Sequence, residues 1–146
     1  MHTGAVSARV VRTVGLSLDE TWARLTDFRR HTDHVPLTDV RPDPGPPSVG
    51  WRFVARTSLG PVHIDDVMRL TRWEPPRDGR AAFALSKEGR ALKGWAVVEL
   101  VRRGSGCRVE WTEEIRPPVG SIAPVAYVAD RLTAWLFGRV VERLTA

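Results

Sequence analysis

Two carboxylates stand where a folded sheet would bury them. In GCRVEWTEEIRPP, Gly106 to Pro118, alternation puts Arg108, Glu110, Thr112, Glu114 and Arg116 on one face. Val109, Trp111, Glu113 and Ile115 share the other. In the stretch from His63 to Trp73, Ile64, Asp66, Met68 and Leu70 fall together, and His63, Asp65, Val67, Arg69 and Thr71 oppose them. Side chains of a strand alternate between faces, so Glu113 and Asp66 belong to otherwise apolar surfaces. A charge taken out of water without a partner is costly, so each must be paired or must border something wet. A carboxyl group in an apolar surround holds its proton more readily, which suits a general acid or base near neutral pH. It equally suits a group that holds a ligand hydroxyl or amine, or that pairs with an arginine. Trp51, Phe53, Thr57, Met68, Phe83 and Trp111 keep these carboxylates company on the expected inner face. Aromatic-lined concavities with a few polar groups are the usual form of a small-molecule site, and aromatic residues also make ordinary cores.

Other reactive residues carry weaker signals. His31 and His34 are three apart, with Asp33 between them, and His63 opens a strand. No third ligand of obvious geometry accompanies them, so no metal site is expected. A single cysteine, Cys107, excludes an internal disulfide framework and a multi-cysteine zinc site, and is expected to pack as a small hydrophobe. Ser17 reads as a helix cap, since no Gly-x-Ser-x-Gly elbow exists. Gly104 and Gly106 belong to a hairpin turn, not a phosphate-binding strand-to-helix junction, and no cofactor is expected.

The elements that must position these residues follow from pattern. Val6 to Leu16 is rich in β-branched residues and reads as a strand. SLDETWARLTDF begins with Ser17 and has Glu20 three residues on, the spacing of a capping box. Trp22, Leu25 and Phe28 then give a short amphipathic helix one apolar face. RRHTDHVPL predicts a second helical turn that Pro36 ends. Arg41 to Gly50 is rich in proline and glycine and reads as a loop or hairpin. Strands are expected over Trp51–Leu59, His63–Trp73, AAFALS and LKGWAVVELV, with EPPRDGR as a loop and turns at Gly60-Pro61 and Gly89. After Pro117 and Pro118, Ile122, Val125, Ala129, Leu132, Leu136, Val140 and Leu144 form an apolar stripe at helical spacing, so a long helix is expected over Ser121–Leu144. Strands in a run followed by a helix predict an α+β domain, one antiparallel curved sheet wrapped around the terminal helix, with two short helices after the first strand. At 146 residues this is one domain, 1–146.

The net charge of +5 raises a nucleic-acid reading, but the basic residues are scattered, often beside acids, and their longest runs are the pairs Arg29-Arg30 and Arg102-Arg103. All but Lys87 and Lys93 are arginine. A solvated exterior is expected, with no nucleic-acid partner. No run is long enough to cross a bilayer and no signal peptide opens the chain, so a cytoplasmic protein without membrane insertion is expected, as monomer or homodimer.

SLDETWARLTDFRRHTDHVP, DDVMRLTRWEPP, GSGCRVEWTEEI and the amphipathic C-terminal helix, in that order, resemble the SRPBCC (START-like) superfamily, and within it the polyketide cyclase/dehydrase-like proteins. Cys107 stands where threonine is commoner in that family. The resemblance covers nearly the whole chain and implies a helix-grip fold with a hydrophobic cavity between sheet and C-terminal helix. It implies a binder of a lipid-, isoprenoid- or polyketide-like molecule; from their place on the expected inner face, Trp51, Phe53, Thr57, Asp66, Met68, Phe83, Trp111 and Glu113 are the expected ligand-binding residues. The alternatives it leaves open are a cyclase/aromatase-type enzyme using Glu113, with Asp66, as acid/base, and a protein-interaction module whose cavity is filled by its own side chains.

Overall fold

A computed structural model describes residues 6–28, 37–89 and 93–116. These form seven strands and one helix: β1 (Val6–Val14), α1 (Leu18–Leu25), β2 (Thr38–Pro42), β3 (Arg52–Leu59), β4 (Val62–Arg77), β5 (Arg80–Glu88), β6 (Lys93–Arg103) and β7 (Gly106–Arg116). They make one curved antiparallel sheet in the order β1-β7-β6-β5-β4-β3-β2. The helix expected at the C-terminus and the second helical turn after α1 lie outside the described residues.

Three departures from the alternation pattern have local causes. β2 lies between the expected helical turn and the expected loop or hairpin and takes in that loop's first two residues, Arg41 and Pro42, with Val40 opposite Ala55 and Thr38 opposite Thr57. β4 does not stop before EPPRDGR. It runs on to Arg77, because a register shift between Glu74 and Arg77 takes Pro75 and Pro76 into an irregularity where a missing N–H is tolerated. Asp78 and Gly79, both with positive φ, then close a two-residue hairpin. A second shift, between Leu70 and Arg72, reverses the facing of the strand beyond it. Strict alternation from Leu70 would turn Trp73 outward; the bulge turns it inward, 4.9 Å from Trp22.

The first turn of α1 is capped as its sequence requires, with Glu20 N–H donating to Ser17 Oγ at 3.2 Å. Leu18, Thr21, Trp22 and Leu25 form its buried face. It lies over the end of the sheet that carries Cys107, Val109, Leu100 and Phe83. There, Trp22, Phe28, Trp51, Phe53, Trp73 and Phe83 form a continuous aromatic cluster, with Phe28 stacked on Phe53 at 4.7 Å and edge-on to Phe83 at 5.6 Å. Cys107 is fully buried within this core, and burial pushes its thiol pKa up, as for an inert packing residue.

The outer face is laced with arginine–carboxylate pairs. Arg56 grips Asp65 with two hydrogen bonds of 2.7 and 2.9 Å, which hold that carboxyl below its ordinary pKa. Arg9 meets Glu110 at 2.7 Å with the same effect, and Arg116 meets Glu114 at 3.0 Å. These pairs disperse the basic charge among acids instead of gathering it into a patch.

One glycine is fixed by close approach. A Cβ at Gly106, where β7 begins, would stand 2.4 Å from the Val14 carbonyl oxygen of β1. Both backbones are tied into the sheet, so neither can give way cheaply. Gly106→Ala is expected to lower stability by about 1–3 kcal/mol, the range for forced overpacking, read as a fall in the urea midpoint at unchanged m-value. An unchanged midpoint would mean that β1 and β7 separate freely at this end.

Candidate functional site

Register divides the inner face into rows that run across the strands. Trp111, Val98, Phe83 and Trp73 make one row. The next holds Glu113, Ala96, Leu85 and Leu70. The one after holds Gly94, Lys87, Met68, Phe53 and Pro42. Asp66, Ala55 and Val40 follow. Moving away from the aromatic core, the rows become polar: Glu113, then Lys87, then Asp66, on β7, β5 and β4.

Lys87 is the residue that pattern reading passed over. Its side chain is only 2% exposed. Its Nζ donates to Asp66 Oδ2 at 2.9 Å, and Asp66 is 17% exposed. The adjacent aspartates of HIDDVMRL thus face opposite ways, Asp65 outward to Arg56 and Asp66 inward to Lys87. Gly94 flanks Lys87 on β6 and brings no side chain to that side. Asp66 Oδ1 is buried and has no hydrogen-bond partner among the described residues. A signal for Lys87 was present in the sequence: Ala81, Phe83, Leu85 and Lys87 share a face, and it is one of only two lysines in an arginine-rich chain.

Glu113 is buried on the inner face, 6% exposed. The Trp111 indole Nε1 donates to its Oε2 at 3.3 Å, and two alanines, Ala8 and Ala96, flank it in register. Trp111 itself is half-buried against the core. Glu113 and Asp66 do not form a pair. β5 and β6 separate their strands, and Asp66 lies four residues along β4 from Leu70, the position in Glu113's row.

The remaining residues separate into two groups. Trp51, Phe53 and Phe83 are buried in the aromatic cluster, and Trp51 Nε1 also donates to the Asp43 carbonyl at 3.1 Å. Met68 is half-buried beside Lys87. Thr57 is half-buried, its hydroxyl 3.0 Å from that of Thr38 across β2–β3. His63 is exposed at the start of β4, and His31 and His34 lie outside the described residues.

A surface crevice of roughly 480 Å³ lies at the opposite end of the sheet, between the start of α1, the β4–β5 turn and the β6–β7 turn. Its charged groups, Asp19, Arg77, Asp78 and Arg102, are all exposed. Solvated charges on three loops offer a ligand little that water does not, and the candidate site is therefore the polar end of the inner face.

The fold is shared with solved structures. The crystal structure of Ara h 8.0201 superposes with a TM-score of 0.66 at 8% identity, covering 97% of this chain and 98% of that one. That of the Mll3558 protein from Rhizobium loti gives 0.66 at 21% identity, covering 92% and 93%. No curated protein matches the chain. A family model described as polyketide cyclase / dehydrase and lipid transport matches residues 5–146.

Proposed function

The chain belongs to the polyketide cyclase / dehydrase and lipid transport family, an SRPBCC-type family, and from that membership we propose that it binds a hydrophobic or amphipathic small molecule against the inner face of its sheet. In this reading the sheet wraps a C-terminal helix, and the ligand lies between them in a cytoplasmic protein. The observation that carries it is the Lys87–Asp66 pair, its lysine buried, its aspartate half-buried and one carboxylate oxygen without a partner among the described residues. A buried ion pair stabilises a fold less than apolar residues of the same volume would, so its presence on an apolar face fits a ligand-holding role. Met68, Thr57, Trp111 and Glu113 would line the same end, while Trp51, Phe53 and Phe83 would back it from the core. The separation of Glu113 from Asp66 favours binding over catalysis by a paired acid and base, because proton transfer needs both groups within reach of one substrate.

Native mass spectrometry of the purified protein, followed by denaturing extraction, tests this. A lipid-, isoprenoid- or polyketide-like adduct, displaced by added 2-naphthol, is the expected result. An apo mass together with no saturable binding of 2-naphthol or oleate would overturn the reading in favour of an interaction module filled by its own side chains.

A further inference from the structure

The inner-face ion pair has a hydrogen-bonding pattern that selects among ligands. An ammonium carries three N–H donors. The one acceptor the described residues give Lys87 Nζ is Asp66 Oδ2, at 2.9 Å. The other oxygen of the same carboxylate, Oδ1, is buried and accepts from none of the described residues. Donor and acceptor capacity therefore stand side by side, both removed from bulk water.

Only some chemical groups complete such a pair. A ketone or ether oxygen accepts from Lys87 and leaves Oδ1 unsatisfied. A carboxylate brings a second negative charge beside Asp66. An ammonium brings a second positive charge beside Lys87. A hydroxyl donates its proton to Oδ1 and accepts from Nζ through one oxygen atom, adding no charge. Bonds to charged partners are the stronger kind, and leaving a buried charged acceptor unmade is costly.

Resting on the reading above, we propose that the ligand carries an alcohol, phenol or enol hydroxyl that bridges Lys87 Nζ and Asp66 Oδ1, which makes these two residues the determinants of ligand specificity. Met68 and Ala55, the register neighbours of the pair on β4 and β3, would face the apolar part adjoining that hydroxyl.

The test compares ring-matched probes, 2-naphthol and 2-methoxynaphthalene, by calorimetry on wild type and Asp66→Asn. Wild type is expected to prefer the naphthol by about tenfold to a hundredfold, the range for a hydrogen bond to a charged group. Asparagine can turn its amide N–H₂ towards the ligand, and both probes can accept from it. The preference is therefore expected to fall to about twofold or less in the variant. Circular dichroism establishes that the variant is folded. A readout without mutation guards against a variant that does not fold. Protein labelled with ¹⁵N-lysine has two side-chain ammonium groups, Lys87 and the exposed Lys93. 2-Naphthol is expected to shift the Lys87 signal, while naphthalene leaves it in place and Lys93 is unmoved by either. Equal binding of the two probes to wild type would overturn the hydroxyl bridge, with a resident water as the occupant, and leave the binding reading standing. A preference that survives in Asp66→Asn would overturn the role of Asp66. No binding of any probe to wild type would overturn both the bridge and the reading beneath it.

Discussion

Phe83→Ala is expected to destabilise the protein by about 3–5 kcal/mol, the range for deleting a buried aromatic ring. A typical domain is stable by only about 5–15 kcal/mol, so the variant should lie near the edge of folding. The ring is 1% exposed and sits at the centre of the aromatic cluster. Trp22 meets it edge-on at 5.8 Å from α1, Phe28 edge-on at 5.6 Å from beyond the helix, and Trp73 lies opposite it on β4. Truncation removes apolar burial and leaves a void that three separate segments must close, and rigid strands on both sides prevent much collapse. Phe83→Leu retains most of the volume and is expected to cost less than about 2 kcal/mol. Urea unfolding followed by circular dichroism measures both. The size of the effect also bears on function. A ring that walls a ligand cavity already faces empty or exchangeable space, so its loss would cost under about 1 kcal/mol. A large cost would place Phe83 in the packed core that supports the site, and a small one would make it part of the binding surface.

The same distinction marks what the sequence could and could not convey. Period-two alternation turned Glu113 and Asp66 inward correctly, because β7 and the first half of β4 are regular and a regular strand has only two faces. It failed at Trp73, where one bulge reverses the facing of everything beyond it, and a bulge leaves no mark in hydrophobic pattern alone. Prolines at Pro75 and Pro76 looked like a loop because proline usually ends a ladder; their placement at an irregularity depends on the partner strand, which a local window does not include. Asp78 and Gly79 lie inside EPPRDGR, the segment expected as a loop, and are the part of it that does turn the chain. The candidate site was half legible. Its acids were conspicuous as charges on apolar faces. Their partners were not, because Lys87 is twenty-one residues from Asp66 and the pairing rests on the registers of β4 and β5. An expectation that an arginine would pair with Asp66 follows composition; the structure supplies one of the two lysines instead. A flexible stem with a compact ammonium fits beside a glycine and a methionine, where a planar guanidinium with five donors would leave more of them unmet.

Lys87→Met is expected to cost about 3 kcal/mol, whereas Lys87→Met combined with Asp66→Leu is expected to be as stable as wild type or up to about 2 kcal/mol more stable. The asymmetry comes from desolvation. Lys87 has left water and Asp66 has left most of it, and their attraction at 2.9 Å offsets that cost only while both are present. Removing the lysine alone leaves a carboxylate whose Oδ1 has no partner among the described residues and whose Oδ2 has lost its ammonium. The low end of the range for a broken buried pair applies, because Asp66 keeps 17% of its side-chain exposure and some water can reach it. Replacing both members by apolar side chains removes the two desolvation costs together and adds burial on a face that already holds Met68, Leu85 and Ala55. A double-mutant cycle in urea measures the coupling as the difference between the double variant and the sum of the singles. Coupling below about 0.5 kcal/mol would mean that water screens the pair in solution, and its place as a dry anchor would be lost. Strong coupling with a stable double variant would mean that the fold has no need of these charges. The stable, uncharged variant would then be the right background in which to ask what ligand recognition loses without them.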